Sequence, residues 1–372
     1  MKKTPLILLM AGGTGGHIFP ALAVAESLHA QGWNSHWLGS ENGMEVSLIP
    51  KYGIDLSLLP IVGVRGKSLV VRLFSPLLII KAIWQAIQII RRIKPDVILG
   101  MGGFASGPGG IAAWLLKIPL CIHEQNAISG VTNKILSKVA TYKLQAFPGA
   151  IANADAVTGN PVRKDICDIE APEKRFINHQ GAIRLLIIGG SRGAAILNEL
   201  VPESIKLLPE SIELNVWHQV GANNHHEVTN RYSIISNNHE SKNIKITIDE
   251  FIDEMNEAYQ WADVVICRSG ALTVSEVAVV GLGAIFIPFP YAVDDHQTAN
   301  AKYLSSAKAA EIIQQSELNP ELLANKIIHL AERNRCLEMA KKARAEGKPN
   351  ATSEVADYCI KAANLTHHQK AA

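Results

Sequence analysis

Short apolar runs that end in glycine-rich turns recur along this chain, each followed by a longer amphipathic stretch, and they fall into two series. The first opens with Leu6–Met10, which runs into Ala11-Gly12-Gly13-Thr14-Gly15-Gly16-His17. It continues through Ser35–Leu38, Leu56–Ile61, Asp96–Gly100, Leu120–His123 and Ala156–Thr158, with helical stretches such as Ala21–Gln31, Leu77–Ile93 and Gly109–Leu116 between them. Runs this short and uniformly apolar read as strands buried on both faces, and their alternation with helices is the pattern of a parallel sheet. Around Gly159-Asn160-Pro161-Val162-Arg163 the pattern breaks into a polar stretch that reaches about Ala182. A second series then begins at Arg184–Ile188, which runs into Gly189-Gly190-Ser191-Arg192-Gly193. Further strands are expected at Leu214–Gln219, Ile244–Ile248, Asp263–Cys267 and Ala284–Pro288, and two closing helices precede a polar tail, Thr366–Ala372.

The expected fold is therefore α/β, with two Rossmann-like domains whose parallel sheets face a cleft. The first spans 1–163 and the second begins at 164. A chain of 372 residues suits two such domains, and 48% apolar content supplies each with a core. Lys2 and Lys3 ahead of Leu6–Met10 resemble the start of a signal peptide. The run is short, however, and it feeds straight into a glycine loop, so the strand reading is preferred.

Charge and cysteine usage exclude several classes. The 36 lysines and arginines nearly balance 34 aspartates and glutamates, without the basic excess of a nucleic-acid binder. The five cysteines are scattered and include no CxxC pair, so neither a disulfide framework nor a zinc site is suggested and a reducing compartment is expected.

Four glycine-rich loops follow strands at equivalent positions. They are Gly12–His17, Gly100–Gly107, Gly189–Gly193 and the segment Ser269–Thr273. No register of the first fits GxGxxG, and Gly66-Lys67-Ser68 has Ile61 where a P-loop needs glycine, so a dehydrogenase and a P-loop kinase are poorly supported. Tight turns occur in any α/β protein, but four on corresponding strand ends point to phosphate or sugar binding at helix starts. His17 follows the first loop, where an imidazole suits either helix capping or proton abstraction from an acceptor hydroxyl. His123-Glu124-Gln125-Asn126 places four polar side chains after a buried run, which reads as the lining of a site. Glu276, one to two turns into the helix after Ser269, is placed to accept the hydroxyls of a ribose. Asp294-Asp295 and His225-His226 invite a metal reading, but adjacent loop residues rarely aim at one ion and no third ligand is marked.

Taken together, Gly12–His17, Gly100–Gly110, His123–Asn126, Gly159–Arg163, Gly189–Gly193 and Ser269–Glu276 resemble, in order and across almost the whole chain, the MurG family of bacterial UDP-N-acetylglucosamine transferases, in glycosyltransferase family 28. The resemblance implies a GT-B fold, with a second domain ending near 344 and a helix at about 345–365 packed back on the first. It implies inverting β-1,4 transfer of N-acetylglucosamine from UDP-N-acetylglucosamine to undecaprenyl-diphospho-N-acetylmuramoyl-pentapeptide, without a metal cofactor. The resulting step belongs to peptidoglycan synthesis, and through it to cell shape and division, with other cell-wall enzymes as possible partners.

Residue by residue, the resemblance assigns donor contacts to Thr14, Gly15, Gly16, Asn126, Arg163, Ser191, Ala271, Leu272, Thr273, Val274, Ser275, Glu276 and Gln297, with the Ile252 backbone at uracil. Acceptor contacts fall to Gly12, Gly13, Gly102 and Gly103, and the general base to His17, with Glu124 as second candidate. Two positions depart from the family pattern. Arg192 replaces a glutamine, placing a cation where the diphosphate is expected, and Phe104 replaces a tyrosine, removing a hydroxyl. The family also implies peripheral attachment to the cytoplasmic face of the inner membrane. Leu69–Ile93 is apolar but carries Arg72, Lys81, Arg91 and Arg92, so it is expected to lie on an anionic surface, through Leu73, Phe74, Leu77, Ile80 and Trp84, rather than span it. Two rival readings share these loops: a UDP-sugar 2-epimerase of the same fold, and a non-catalytic nucleotide-sugar binder.

Overall fold

The computed structural model describes residues 4–61, 69–190, 193–238 and 244–371, and within these the side chains of all but 69–76, 234–238 and 366–371. Gly66-Lys67-Ser68, Ser191 and Arg192, and the side chains of Arg72, Leu73 and Phe74, thus lie outside the described residues. The chain folds as two compact units, 1–163 with 349–372 and 164–348.

In the first unit seven parallel strands form one sheet. They are β1 (Leu6–Met10), β2 (Asn34–Ser40), β3 (Asp55–Leu59), β4 (Val97–Gly100), β5 (Leu120–Glu124), β6 (Tyr142–Gln145) and β7 (Ala156–Val157), in the order β3-β2-β1-β4-β5-β6-β7. The central register pairs Leu8 with His36 on one side and with Ile98 on the other. Connecting helices are α1 (Gly15–His29), α2 (Glu45–Leu48), α3 (Leu69–Ile93), α4 (Ser106–Leu115) and α5 (Val131–Leu136). Residues on β1 alternate between two cores. Ile7 and Leu9 pack with Ile18, Leu22 and Val24 of α1, while Leu8 and Met10 pack with Ala86 and Ile90 of α3 and Ala112 of α4.

The second unit begins with the short helices α6 (Lys164–Cys167) and α7 (Pro172–Arg175), inside the stretch expected to be irregular. Its six-stranded parallel sheet comprises β8 (Ile183–Ile188), β9 (Leu214–Gln219), β10 (Ile244–Asp249), β11 (Val264–Cys267), β12 (Gly283–Phe286) and β13 (Ala310–Ile312), ordered β10-β9-β8-β11-β12-β13. Around it lie α8 (Ala195–Lys206), α9 (His225–Asn238), α10 (Met255–Trp261), α11 (Ala271–Val280), α12 (His296–Ser306), α13 (Pro320–Leu330) and α14 (Arg333–Glu346). The last helix, α15 (Ala351–Ala371), belongs to the first unit, where Val355, Ala356, Cys359 and Ala362 join the β1–α1 core.

Three features differ from the sequence reading. β6 and β13 were not expected: β6 alternates polar and apolar residues over four positions, and β13 is a three-residue edge strand. α1 starts at Gly15 rather than Ala21, because its first turn is built from the glycine loop and carries no apolar signature. The tail from Thr366 continues α15 as helix to Ala371.

One buried cluster secures the base of the second unit. Asp263, fully buried just before β11, accepts from His179 Nδ1 at 2.6 Å, the Arg184 N–H at 3.0 Å and Arg333 Nη2 at 3.1 Å. Burial alone raises a carboxyl pKa, but these donors outweigh it and hold Asp263 below its ordinary value.

Candidate functional site

Parallel strands present all their carboxyl ends along one edge of a sheet, so the loops that leave β1, β4 and β5 are neighbours. The first two touch through backbone. Met101 N–H donates to Met10 O at 2.8 Å, and the Ser106 hydroxyl lies 2.9 Å from Met10 O and 2.6 Å from Gly102 O. Gly103 has φ +85°, and a Cβ on it would sit 2.6 Å from the Gly12 carbonyl oxygen. A Cβ on Gly102 (φ +95°) would sit 2.9 Å from Cδ2 of His17, so the imidazole lies directly against that glycine. Side chains are barred from this approach both by space and by conformation. Gly12, Gly102, Gly103 and His17 are thereby brought together, with Gly13 beside them. Thr14 is the N-cap of α1, and its carbonyl accepts from the N–H groups of His17 (3.1 Å) and Ile18 (3.3 Å), so in the first turn it is the Gly15 and Gly16 amides that point out of the helix end.

His123 to Asn126 differ from expectation. His123 is fully buried, and its Nε2 lies 2.9 Å from Gly159 O and 3.2 Å from Thr158 Oγ1. Burial holds its imidazole down to about 4, so it stays neutral and donates to Gly159. Glu124 is buried too, and its two oxygens accept from the Asn126 N–H (3.0 Å), Asn126 Nδ2 (3.4 Å), Ser129 Oγ (3.3 Å), the Gly130 N–H (3.1 Å) and Asn133 Nδ2 (2.9 Å). Rather than lining a site, His123 and Glu124 fix the turn after β5. A carboxylate so engaged is poorly placed to abstract a substrate proton, which leaves His17 as the base candidate. Asn126, half-buried at the rim of that turn, and Arg163, half-buried at the end of the first unit, remain accessible.

In the second unit the loops after β8, β10, β11 and β12 share the carboxyl edge of its sheet. Gly189 and Gly193 admit no side chain: a Cβ on Gly189 would lie 2.7 Å from the Gly193 carbonyl carbon. α11 starts at Ala271 with Gly270 as N-cap. Leu272, Thr273 and Glu276 are half-buried, whereas Val274 is in the core with its N–H donating to Gly270 O, and the Ser275 hydroxyl donates to Ala271 O at 2.9 Å. Of the expected stretch, then, Leu272, Thr273 and Glu276 present side chains outward. Ile252 is buried beside an exposed Phe251. Gln297 Oε1 accepts from the Phe289 N–H at 2.9 Å, which fixes the orientation of its amide.

Tyr259 escaped the sequence reading. Tyr259, buried on α10, donates its hydroxyl to Glu276 Oε2 at 3.0 Å. The contact joins residues on different helices, so no local spacing announces it. Replacing Glu276 with alanine is expected to weaken UDP binding by about 1.5–3 kcal/mol, and Tyr259→Phe by about 1 kcal/mol through a less firmly held carboxylate. Calorimetric titration of UDP checks both; unchanged affinity in folded Glu276→Ala would remove the ribose role.

Exposed apolar side chains gather on three helices of the first unit that pack in series, α3 on α4 and α4 on α5. Leu77, Leu78, Ile79, Ile80 and Trp84 of α3, Trp114 and Leu115 of α4, and Val131 and Ile135 of α5 face solvent. Lys81, Lys117, Lys134 and Lys138 are exposed or half-buried along the same helices and the turns that follow them. No helix among the described residues is long and apolar enough to cross a membrane. Among the described residues no group of three or more His, Cys, Asp or Glu side chains is placed to hold a metal ion.

Two parallel-sheet α/β units, each with glycine-rich strand-to-helix turns, define a GT-B-type glycosyltransferase fold. Residues 7–144 match the glycosyltransferase family 28 N-terminal domain, and residues 184–355 match its C-terminal domain. The chain belongs to glycosyltransferase family 28, among the MurG-type transferases. It is 49% identical over 358 residues to the UDP-N-acetylglucosamine--N-acetylmuramyl-(pentapeptide) pyrophosphoryl-undecaprenol N-acetylglucosamine transferase of Proteus mirabilis, covering 96% of this chain and 98% of that one. The transferase of the same name from Marinobacter nauticus is 47% identical, covering 96% and 97%. The crystal structure of Acinetobacter baumannii MurG superposes with a TM-score of 0.85 at 41% identity, over 96% of this chain and 99% of that chain. A UDP-GlcNAc 2-epimerase from Neisseria meningitidis shares the fold alone, at TM-score 0.65 and 12% identity over 96% and 100%.

Proposed function

We propose that this chain transfers N-acetylglucosamine from UDP-N-acetylglucosamine to the muramyl sugar of undecaprenyl-diphospho-N-acetylmuramoyl-pentapeptide, with inversion at the anomeric carbon and release of UDP. The observation that carries this reading is near-full-length identity of 47–49% to relatives named for that transfer, against 12% to the epimerase. In the reaction, the acceptor hydroxyl attacks the anomeric carbon as the bond to the diphosphate breaks. His17 takes the hydroxyl proton, and the loops that carry Gly12, Gly13, Gly102 and Gly103 seat the acceptor diphosphate. The family resemblance assigns donor contacts to Thr14, Gly15, Gly16, Asn126 and Arg163, and to Leu272, Thr273, Glu276, Gln297 and the Ile252 backbone. Preorganised amides facing the departing diphosphate stabilise the charge that develops there. A coupled assay of UDP release tests the class: release only when lipid acceptor is present supports transfer, whereas acceptor-independent turnover supports an epimerase and none at all a sensor.

The reaction is read as metal-independent, supported by the chemistry of the residues expected around the diphosphate, which are amides and hydroxyls rather than clustered carboxylates. Chelation with EDTA is expected to leave most activity intact. Complete loss, restored by one divalent cation, would contradict this.

The apolar and basic face of α3, α4 and α5 is read as the contact with an anionic lipid surface at the cytoplasmic face of the inner membrane. Each lysine near such a surface adds about 1 kcal/mol, and the apolar side chains add burial in the interface. Trp84→Glu should lower partitioning onto phosphatidylglycerol vesicles roughly tenfold or more while leaving turnover on a water-soluble acceptor near normal. Equal vesicle binding by the variant and the parent protein would rule the face out.

A further inference from the structure

Glu45 begins α2 and is fully buried, yet it faces the underside of the first glycine loop. Its Oε2 accepts from the Gly13 N–H at 3.1 Å, and its Oε1 accepts from both the N–H and the hydroxyl of Ser40, each at 2.8 Å. Three glycines make room for it. A Cβ on Gly12, Gly39 or Gly43 would overlap its side chain. Gly13 itself has open space around it but φ +92°, a conformation that Glu45 holds by fixing the direction of the Gly13 N–H. Buried charge is costly, and a carboxylate placed where glycines from three segments must clear space for it holds a specific shape.

We propose that Glu45 is a positioning residue: it clamps the Gly12–Gly16 loop in the conformation that sets His17 against Gly102 and shapes the loop for the acceptor diphosphate. The inference rests on the functional reading above for the identity of the ligand, but the clamp itself is a property of the fold. Because Gly13 N–H is spent on Glu45, it is not one of the amides offered to the diphosphate. This reassigns Gly13 from acceptor contact to hinge of the loop.

Glu45→Gln keeps the shape and reverses the polarity of one contact. With its carbonyl oxygen retained by the two Ser40 donors, its amide nitrogen faces the Gly13 N–H, donor against donor. In that variant hydrogen exchange of segment 11–17 should rise clearly above that of the rest of the first unit. kcat/KM for the lipid acceptor should fall about ten- to a hundredfold, while the KM for UDP-N-acetylglucosamine stays near that of the parent protein. Should Glu45→Gln not fold, Ser40→Ala removes one donor and is expected to show the same pattern with smaller amplitude. A residue that served stability alone would lower the melting temperature and raise exchange throughout the unit, leaving acceptor kinetics of the folded fraction unchanged; that result, or unaltered exchange in 11–17, overturns the proposal. If the parent protein transfers no sugar to lipid acceptor, the functional reading fails, and the exchange measurement still decides whether Glu45 clamps the loop.

Discussion

Replacing His17 with alanine is expected to lower turnover by at least about 10²-fold, the lower end of what a positioned general base contributes. Donor affinity should hardly change, because His17 is expected to act on the acceptor hydroxyl and its imidazole lies against Gly102, an expected acceptor contact. A histidine that only packed against the loop would cost stability and leave the folded fraction active. Turnover, UDP affinity and melting temperature measured on one preparation separate these outcomes. Near-normal turnover would move proton removal to the substrate itself.

Asp263→Ala is expected to be the most damaging change to stability. It would strand the His179 ring, the Arg184 N–H and the Arg333 guanidinium around a buried space, and breaking a buried pair from one side costs about 3–5 kcal/mol. For a protein this size that is a fall of roughly 10 °C in melting temperature. The pH dependence has a definite sign. Asp263 is held below its ordinary value, so its contribution is fully present above the unfolded value of about 3.9 and is lost as pH falls through and below it. Melting temperature of the parent protein should therefore drop steeply below about pH 4, and the variant should show a shallower acid decline. A variant that melts within about 2 °C of its parent would show that His179 and Arg333 are satisfied without Asp263.

Much of the fold was legible because its strands are buried on both faces and end in glycine. Leu6–Met10 and Arg184–Ile188 announce themselves by apolar content, and the turns after β1, β4, β8 and β11 by composition. Tyr142–Gln145 did not, because Lys143 and Gln145 interrupt its pattern and only its last two residues are buried. Polar residues after a buried strand were read as ligand-facing, which misplaced His123 and Glu124. Their partners, Gly159 after β7 and Asn133 on α5, come from separate elements, and such pairing leaves no spacing to read. Glu45 and Tyr259 were missed for the same reason: Gly13 and Glu276, which they hold, lie on other elements. Sequence thus exposed the glycine-rich loops more readily than the side chains that shape them.

The most direct test supplies radiolabelled UDP-N-acetylglucosamine and an undecaprenyl-diphospho-muramoyl-pentapeptide analogue to the purified protein in vesicles. Label is expected in the lipid product, in a β-1,4 linkage and matched mole for mole by UDP. Label that stays in the nucleotide-sugar pool, epimerised or unchanged, with acceptor present and the protein folded, would contradict it.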